Sequence, residues 1–298
     1  MSLATTTVRH PDLAGPGLQV SLIEIVNASF ENGLPVKTLI SGEIALAHHE
    51  DDDSDSPSSL NIRLDNFAVL EKVAPNPAFV SAVVDRAGEY TVSPASIRKT
   101  SVAFKYQVHL EESMMSIYCP IIVTALWKLE PHQCSVIVNW KHNPDFKRLS
   151  DAATPYLLRN LVFVTGVEGA HATSCQSKPN GTFSRDRGKI AWKLGDTTMD
   201  PSQNTGGKLL GRFATDSLGR PGAVDVRWEI SGEQADGVGS GLTISTQADP
   251  TKVPEPEEAD PFADASADVA SPDPNELLHE WVPVAASKKV VSGKYSAI

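Results

Sequence analysis

The residues best suited to chemistry are few and widely scattered. Gly237-Val-Gly-Ser-Gly241 has the glycine density of a phosphate cradle, but it lacks the lysine and the following helix that such a cradle needs. A bend or bulge between strands is the better reading. His48 and His49 precede the acidic run Glu50–Asp55, a combination that could hold a cation. Neighbours on a strand point to opposite faces, however, so the two imidazoles cannot chelate one ion from one side. Cys119, Cys134 and Cys175 lack metal-type spacing. The first two sit in apolar, strand-like surroundings, where a thiol packs rather than attacks. There is no Gly-x-Ser-x-Gly elbow. The chain therefore reads as a non-enzyme with no cofactor and no metal.

The elements that would position these residues are short. Stretches rich in Val, Ile and Leu, often alternating with polar residues, run from Leu18 to Val26, Val36 to Ala47, Asn61 to Val73 and Ser101 to Leu110. Others follow at Ile121–Leu129, Ser135–Trp140, Leu157–Val167, Ile190–Leu194, Leu209–Ala214 and Val224–Ile230. Each is strand-sized and bounded by Gly, Pro, Asn or Asp. The 21 prolines are spread throughout, leaving few windows for a long helix. The fold class is all-β, with two sheets or sandwiches. Most of the five tryptophans lie in these alternating segments and read as core residues.

Two tracts break the pattern. Glu50–Ser59 is expected to be a solvated loop. Residues 249–275, rich in Pro, Ala, Asp and Glu, have too little apolar surface to offset ordering entropy and read as a disordered acidic insertion. Chain able to form strands returns at Leu277–Val284 and Lys289–Tyr295.

Charge follows the same division. The net charge is −11; Glu50–Asp55 supplies −5 and Asp249–Glu280 supplies −9, so the remaining body carries +3. No basic stripe of the kind nucleic acid requires is present, and no nucleic-acid partner is expected. A basic patch could arise only if the fold assembled one. An odd number of widely spaced cysteines argues against a disulfide framework and for a reducing, cytoplasmic compartment. No apolar run approaches the ~20 residues that span a bilayer, and Met1–His10 does not resemble a secretory signal.

Several segments, taken in order, resemble the mu-homology domain of clathrin-adaptor medium chains and of muniscins, endocytic proteins in which a membrane-bending F-BAR domain precedes this one. Leu18–Asn27, followed by Val36–Ala47 with Ser41-Gly42 inside it, is similar to the family's first hairpin. Tyr106-Gln-Val-His109 resembles the strand before the internal insertion. Lys189–Leu194 followed by Gly206–Phe213 is the most specific stretch. Gln176-Ser-Lys-Pro179, Trp127-Lys128 and Trp140–Pro144 lean toward the muniscins, and Ser292–Tyr295 resembles the closing strand.

The resemblance implies an elongated domain of two β-sandwich subdomains, the second inserted in the first. Subdomain A would comprise residues 15–120 and 237–298, with the acidic insertion 249–275 inside it, and subdomain B residues 121–236. It implies an adaptor that binds cargo and scaffold proteins at early clathrin-mediated endocytic sites, peripheral at the plasma membrane. The alternative is a medium-chain-like subunit of a vesicle coat adaptor complex. Implied partners are EH-domain scaffold proteins and membrane cargo tails, with membrane association supplied by the F-BAR domain.

Medium chains bind tyrosine-based peptides by adding them as a strand, using an aspartate, a phenylalanine, an arginine and a tryptophan. Here those positions fall on Ser21, Gln19, Pro283 and Trp281, so only the tryptophan is kept. A serine and a proline cannot supply the charged hydrogen bonds a buried phenol needs, and no tyrosine-motif recognition is expected. Asp260-Pro261-Phe262, in the acidic insertion, matches the tripeptide by which endocytic segments dock on clathrin adaptor appendages. The partner-binding candidates are thus Asp260, Pro261, Phe262 and Trp281.

Overall fold

The computed structural model describes residues 8–49, 58–148, 154–247 and 280–298. The described residues are 61% strand and 7% helix, so the all-β expectation holds. In chain order the strands begin with β1 (Gly17–Glu31), β2 (Leu34–His49), β3 (Leu60–Asp65), β4 (Leu70–Pro75), β5 (Val80–Ala82), β6 (Glu89–Val92) and β7 (Ser101–Val108). Then come β8 (Ile121–Glu130), β9 (Gln133–His142), β10 (Tyr156–Gly166), β11 (Ala172–Lys178), β12 (Thr182–Ser184), β13 (Lys189–Met199) and β14 (Gly206–Thr215). The chain closes with β15 (Val224–Ser231), β16 (Thr243–Gln247), β17 (Trp281–Val284) and β18 (Ala286–Ala297).

These strands form three sheets. A nine-stranded sheet runs in the order β12-β13-β10-β15-β18-β1-β2-β7-β4. A four-stranded sheet has the order β11-β14-β9-β8, and a five-stranded sheet the order β17-β16-β3-β6-β5. Ring contacts show how they stack. Trp140 of β9 meets Phe163 of β10 with centroids 5.8 Å apart, which seats the four-stranded sheet on one end of the large one. Tyr90 of β6 meets Phe104 of β7 edge-on at 4.8 Å, which seats the five-stranded sheet on the other end. Trp140, Trp192 and Trp228 are buried in this core, as expected. Trp127 and Trp281 are only partly buried.

One expected strand is two. Asn61–Val73 breaks at Asn66, which takes left-handed φ, ψ of 59° and 30° and starts a short turn at Phe67–Val69. Asparagine tolerates that conformation, and here its side-chain amide donates to the Ser240 carbonyl at 3.0 Å. The chain thereby leaves the five-stranded sheet with β3 and enters the nine-stranded sheet with β4. The expected ends also shift. The last strands are Trp281–Val284 and Ala286–Ala297, which lie in different sheets on either side of Ala285. Residues 50–57 of the expected acidic loop and 249–275 of the expected insertion lie outside the described residues.

Candidate peptide-binding faces

On the region equivalent to the tyrosine-peptide site, β1 supplies Gln19 and Ser21, and β17 supplies Trp281 and Pro283. Alternate residues of a strand share a face, so Ser21 should look outward once Val20 and Leu22 face the core. It is nevertheless only 1% exposed. The cover is the chain's own segment 8–13. His10 Nδ1 lies 2.9 Å from Ser21 Oγ. Leu13 anchors the segment: its N–H donates to Thr100 Oγ1 at 2.9 Å, and its carbonyl oxygen lies 2.6 Å from His49 Nε2. Strand β1 is consequently buried on both faces from Val20 to Glu24. Burial holds His10 below the ordinary histidine range, opposed by the nearby Glu43 carboxylate, which in turn pairs with Lys105 at 3.0 Å. Gln19 turns back to donate to the Pro16 carbonyl at 2.8 Å.

Trp281 sits at the edge of the five-stranded sheet, since among the described strands β17 pairs only with β16. Arg63 lies over its ring, 4.8 Å from the centroid. That guanidinium also donates to Asp65 at 2.7 Å. Pro283 stands opposite Ser245 in the register, and Ser245 donates to Asp65 at 2.5 Å. The charges near Trp281 thus satisfy each other, and Pro283 brings none. Asp260, Pro261 and Phe262 lie outside the described residues.

Beneath this region is a polar cluster that the strand pattern does not reveal. Glu24, in an otherwise apolar stretch of β1, is fully buried. It accepts hydrogen bonds from the Tyr106 hydroxyl at 2.8 Å, from the Ser240 N–H at 3.0 Å and from the Ser240 hydroxyl. Burial, and then the Glu24 charge, push the Tyr106 phenol well above its ordinary range. The glycine run therefore wraps a carboxylate instead of a phosphate. A Cβ on Gly239, whose φ is +80°, would stand 1.8 Å from Glu24 Oε2. Gly42 is small for the same reason, because a Cβ there would enter the Tyr106 ring at 2.2 Å. Glu24, Tyr106 and Ser240 are all buried, so this cluster holds structure. Cys119 and Cys175 are pushed up to about 11 by burial, so their thiols stay protonated at neutral pH.

A different outer face is open. On the four-stranded sheet Val136 and Val138 of β9 and Leu209 and Phe213 of β14 point to the core, so Ile137 and Leu210 between them point outward. Register places Leu126, Ile137 and Leu210 side by side across three strands, with Lys178 of β11 next to Leu210.

Stacked sheets with few helices among the described residues define an all-β, sandwich-type domain. The muniscin C-terminal mu homology domain model matches residues 16–298, and the chain belongs to that family. It is 30% identical over 292 residues to "Suppressor of yeast profilin deletion" of Saccharomyces cerevisiae, covering 95% of this chain and 30% of that protein. It is 26% identical to "F-BAR domain only protein 2" of Danio rerio, covering 76% of this chain and 30% of the relative. The chain thus spans about a third of the length of these relatives. Among solved structures, the Danio rerio Fcho1 mu homology domain with bound Eps15 peptide superposes with a TM-score of 0.62 at 14% identity, covering 96% of this chain and 98% of that one. The yeast delta-COP-I mu-homology domain follows at 0.57 and 13% identity, covering 95% and 98%, a likeness of fold alone.

Proposed function

We propose that this chain is a cargo- and scaffold-binding adaptor domain that acts, without catalysis, at early clathrin-mediated endocytic sites. The observation that carries this reading is the family match over residues 16–298 on a fold made of sheets with an open outer face. Its partners are EH-domain scaffold proteins and membrane cargo tails, a reading supported by the peptide-bound state of the related Fcho1 domain. Its place is peripheral, at the cell cortex, with membrane contact made by an F-BAR portion such as one relative's name records. The division into subdomain A (15–120 and 237–298) and subdomain B (121–236) is supported by sheet membership: every strand of the four-stranded sheet comes from the second range, and every strand of the five-stranded sheet from the first. Asp260-Pro261-Phe262 serves as an outgoing motif toward adaptor appendages, while Trp281, already capped by Arg63, is the lesser of the partner-binding candidates.

Calorimetric titration of the chain with fragments of an EH-domain scaffold protein tests the reading. Saturable binding to at least one fragment is expected. No heat with any fragment, from a chain that melts cooperatively, contradicts it.

A further inference from the structure

Among the described strands, β8 ends the four-stranded sheet and pairs only with β9. Glu130 and Gln133 stand opposite each other across the two-residue turn Pro131-His132, and such a turn closes on a bonded pair. Bonded and non-bonded positions then alternate up the ladder. Thr124, Leu126, Lys128 and Glu130 therefore bond β9 through their backbone groups, while Ala125, Trp127 and Leu129 turn theirs to the free edge. Among the described residues, no turn, loop or cap takes up those groups.

The apolar side chains along this edge are incompletely covered. Leu126 is 52% exposed and Leu129 37%, and Trp127 between them is half-buried. The turn at Gly33 shields only the other end of the strand, where a Cβ would stand 2.8 Å from Thr124 Oγ1 and 3.5 Å from Ile122 Cγ2. An open edge flanked by apolar residues is a template for another strand, which charges usually discourage. Here the cation within 125–130 is Lys128, and Glu130 already meets its charge at 3.0 Å.

We propose that two copies of this chain pair through β8, antiparallel about a two-fold axis at Trp127, joining their four-stranded sheets into one. A two-fold interface sets each residue against its own mate in the second copy. With Trp127 on the axis, Ala125 meets Leu129, Leu126 meets Lys128 and Thr124 meets Glu130, each pair occurring twice. A small residue thus lies opposite a large one. The lysine stem covers the exposed leucine while its ammonium stays with Glu130. The Thr124 hydroxyl can donate to the opposing carboxylate, and no like charges face each other. The ladder stops at both ends on Pro131, which has no N–H for the next bonded position.

Other registers fail. An axis at Lys128 sets two lysines opposite each other. An axis at Leu129 places Pro131 inside the ladder. An axis at Leu126 draws in Val123, which is fully buried, and Ile122, which lies under the Gly33 turn.

An edge of this length buries less than the ~1,200 Å² of a standard interface, so association is expected between about 10 µM and about 1 mM. Sedimentation equilibrium of the intact chain across that range should show a monomer–dimer equilibrium. Ala125→Pro removes an N–H that bonds nothing within the chain, so the melting temperature should hold while the dimer weakens by roughly tenfold or more. Leu126→Lys should also weaken it, by facing Lys128 of the partner subunit. Leu126→Glu should not, because it gains that lysine as an ion pair. Should Ala125→Pro lower the melting temperature, the two Leu126 variants decide alone. A chain that stays monomeric throughout overturns the proposal and leaves the edge to a strand from another protein. A dimer untouched by Ala125→Pro overturns it too, as does equal weakening by Leu126→Lys and Leu126→Glu.

Discussion

The β1–β17 region and the outer face of the four-stranded sheet are both strand surfaces with a large apolar residue in reach, yet they end in opposite states. Around β1 the chain covers its own surface: His10 takes the Ser21 hydroxyl, Leu13 is pinned by Thr100 and His49, and Arg63 is shared between Trp281 and Asp65. Around Ile137 and Leu210, both half-buried, the cations Lys128, Lys178, Lys208 and Arg212 outnumber their acid, Glu130, and Leu126 beside them is exposed. Where hydrogen bonds and charges are satisfied internally, a ligand gains little. Where charge is left unpaired beside apolar surface, a complementary ligand gains both terms. The first region should therefore govern stability and the second binding.

The largest expected effect falls on the sealed region. Glu24→Ala leaves the Tyr106 hydroxyl and the Ser240 N–H buried without an acceptor, at a cost of roughly 3–5 kcal/mol, read as a lowered midpoint in urea. A midpoint within error of the wild type would mean that this region is not sealed as described.

Acid sharpens the contrast next. His10 is held below its ordinary range by burial, so the docked segment binds fewer protons than the undocked one. Docking is thus fully favourable above about pH 6.5, the value of a free imidazole, and weakens as pH falls below it. Glu43, already paired with Lys105, opposes the shift only in part. Measured against the intrinsic rate at each pH, hydrogen-exchange protection of residues 8–13 should fall between pH 7.5 and pH 5, whereas that of β9 and β14 stays unchanged. Equal behaviour of both regions would contradict the assignment.

A tyrosine-based sorting peptide should bind no better than its Tyr→Ala version. Ser21 is covered and Pro283 offers no charge, which removes the ~1–3 kcal/mol that a buried phenol's partners provide. A clear preference for tyrosine in paired titrations would show that segment 8–13 is displaced and the site works in another form. The smallest effect expected is that of Phe262→Ala on the melting temperature, namely none, with loss of binding to an adaptor appendage in a direct titration. A lower melting temperature would show that Phe262 packs on this domain.

The sequence made the strands of the core readable because alternation reports burial directly: Leu18–Val26 and Val36–Ala47 became β1 and β2, and Ser135–Trp140 became β9. It hid β11, whose residues Ala-Thr-Ser-Cys-Gln-Ser-Lys are mostly exposed on an edge strand and alternate weakly. The two-sheet path of Asn61–Val73 was hidden because a single left-handed asparagine redirects the chain without breaking its apolar pattern. Glu24 gave no sign that a glycine run more than 200 residues away would wrap it. The departures at Ser21 and Pro283 were legible by family resemblance, but the cover supplied by His10 was not. The basic face was also illegible in one dimension. Lys128, Lys141, Lys178, Lys208 and Arg212 are separated along the chain, and only strand register brings them to one surface.

Partners are expected to engage the open face and to leave the covered one alone. Hydrogen–deuterium exchange of the chain with and without a saturating EH-domain scaffold fragment tests this most directly. New protection is expected in β9, β11 and β14, with β1, β16, β17 and residues 8–13 unchanged. Protection confined to β1, β16 and β17, with release of residues 8–13, would contradict it.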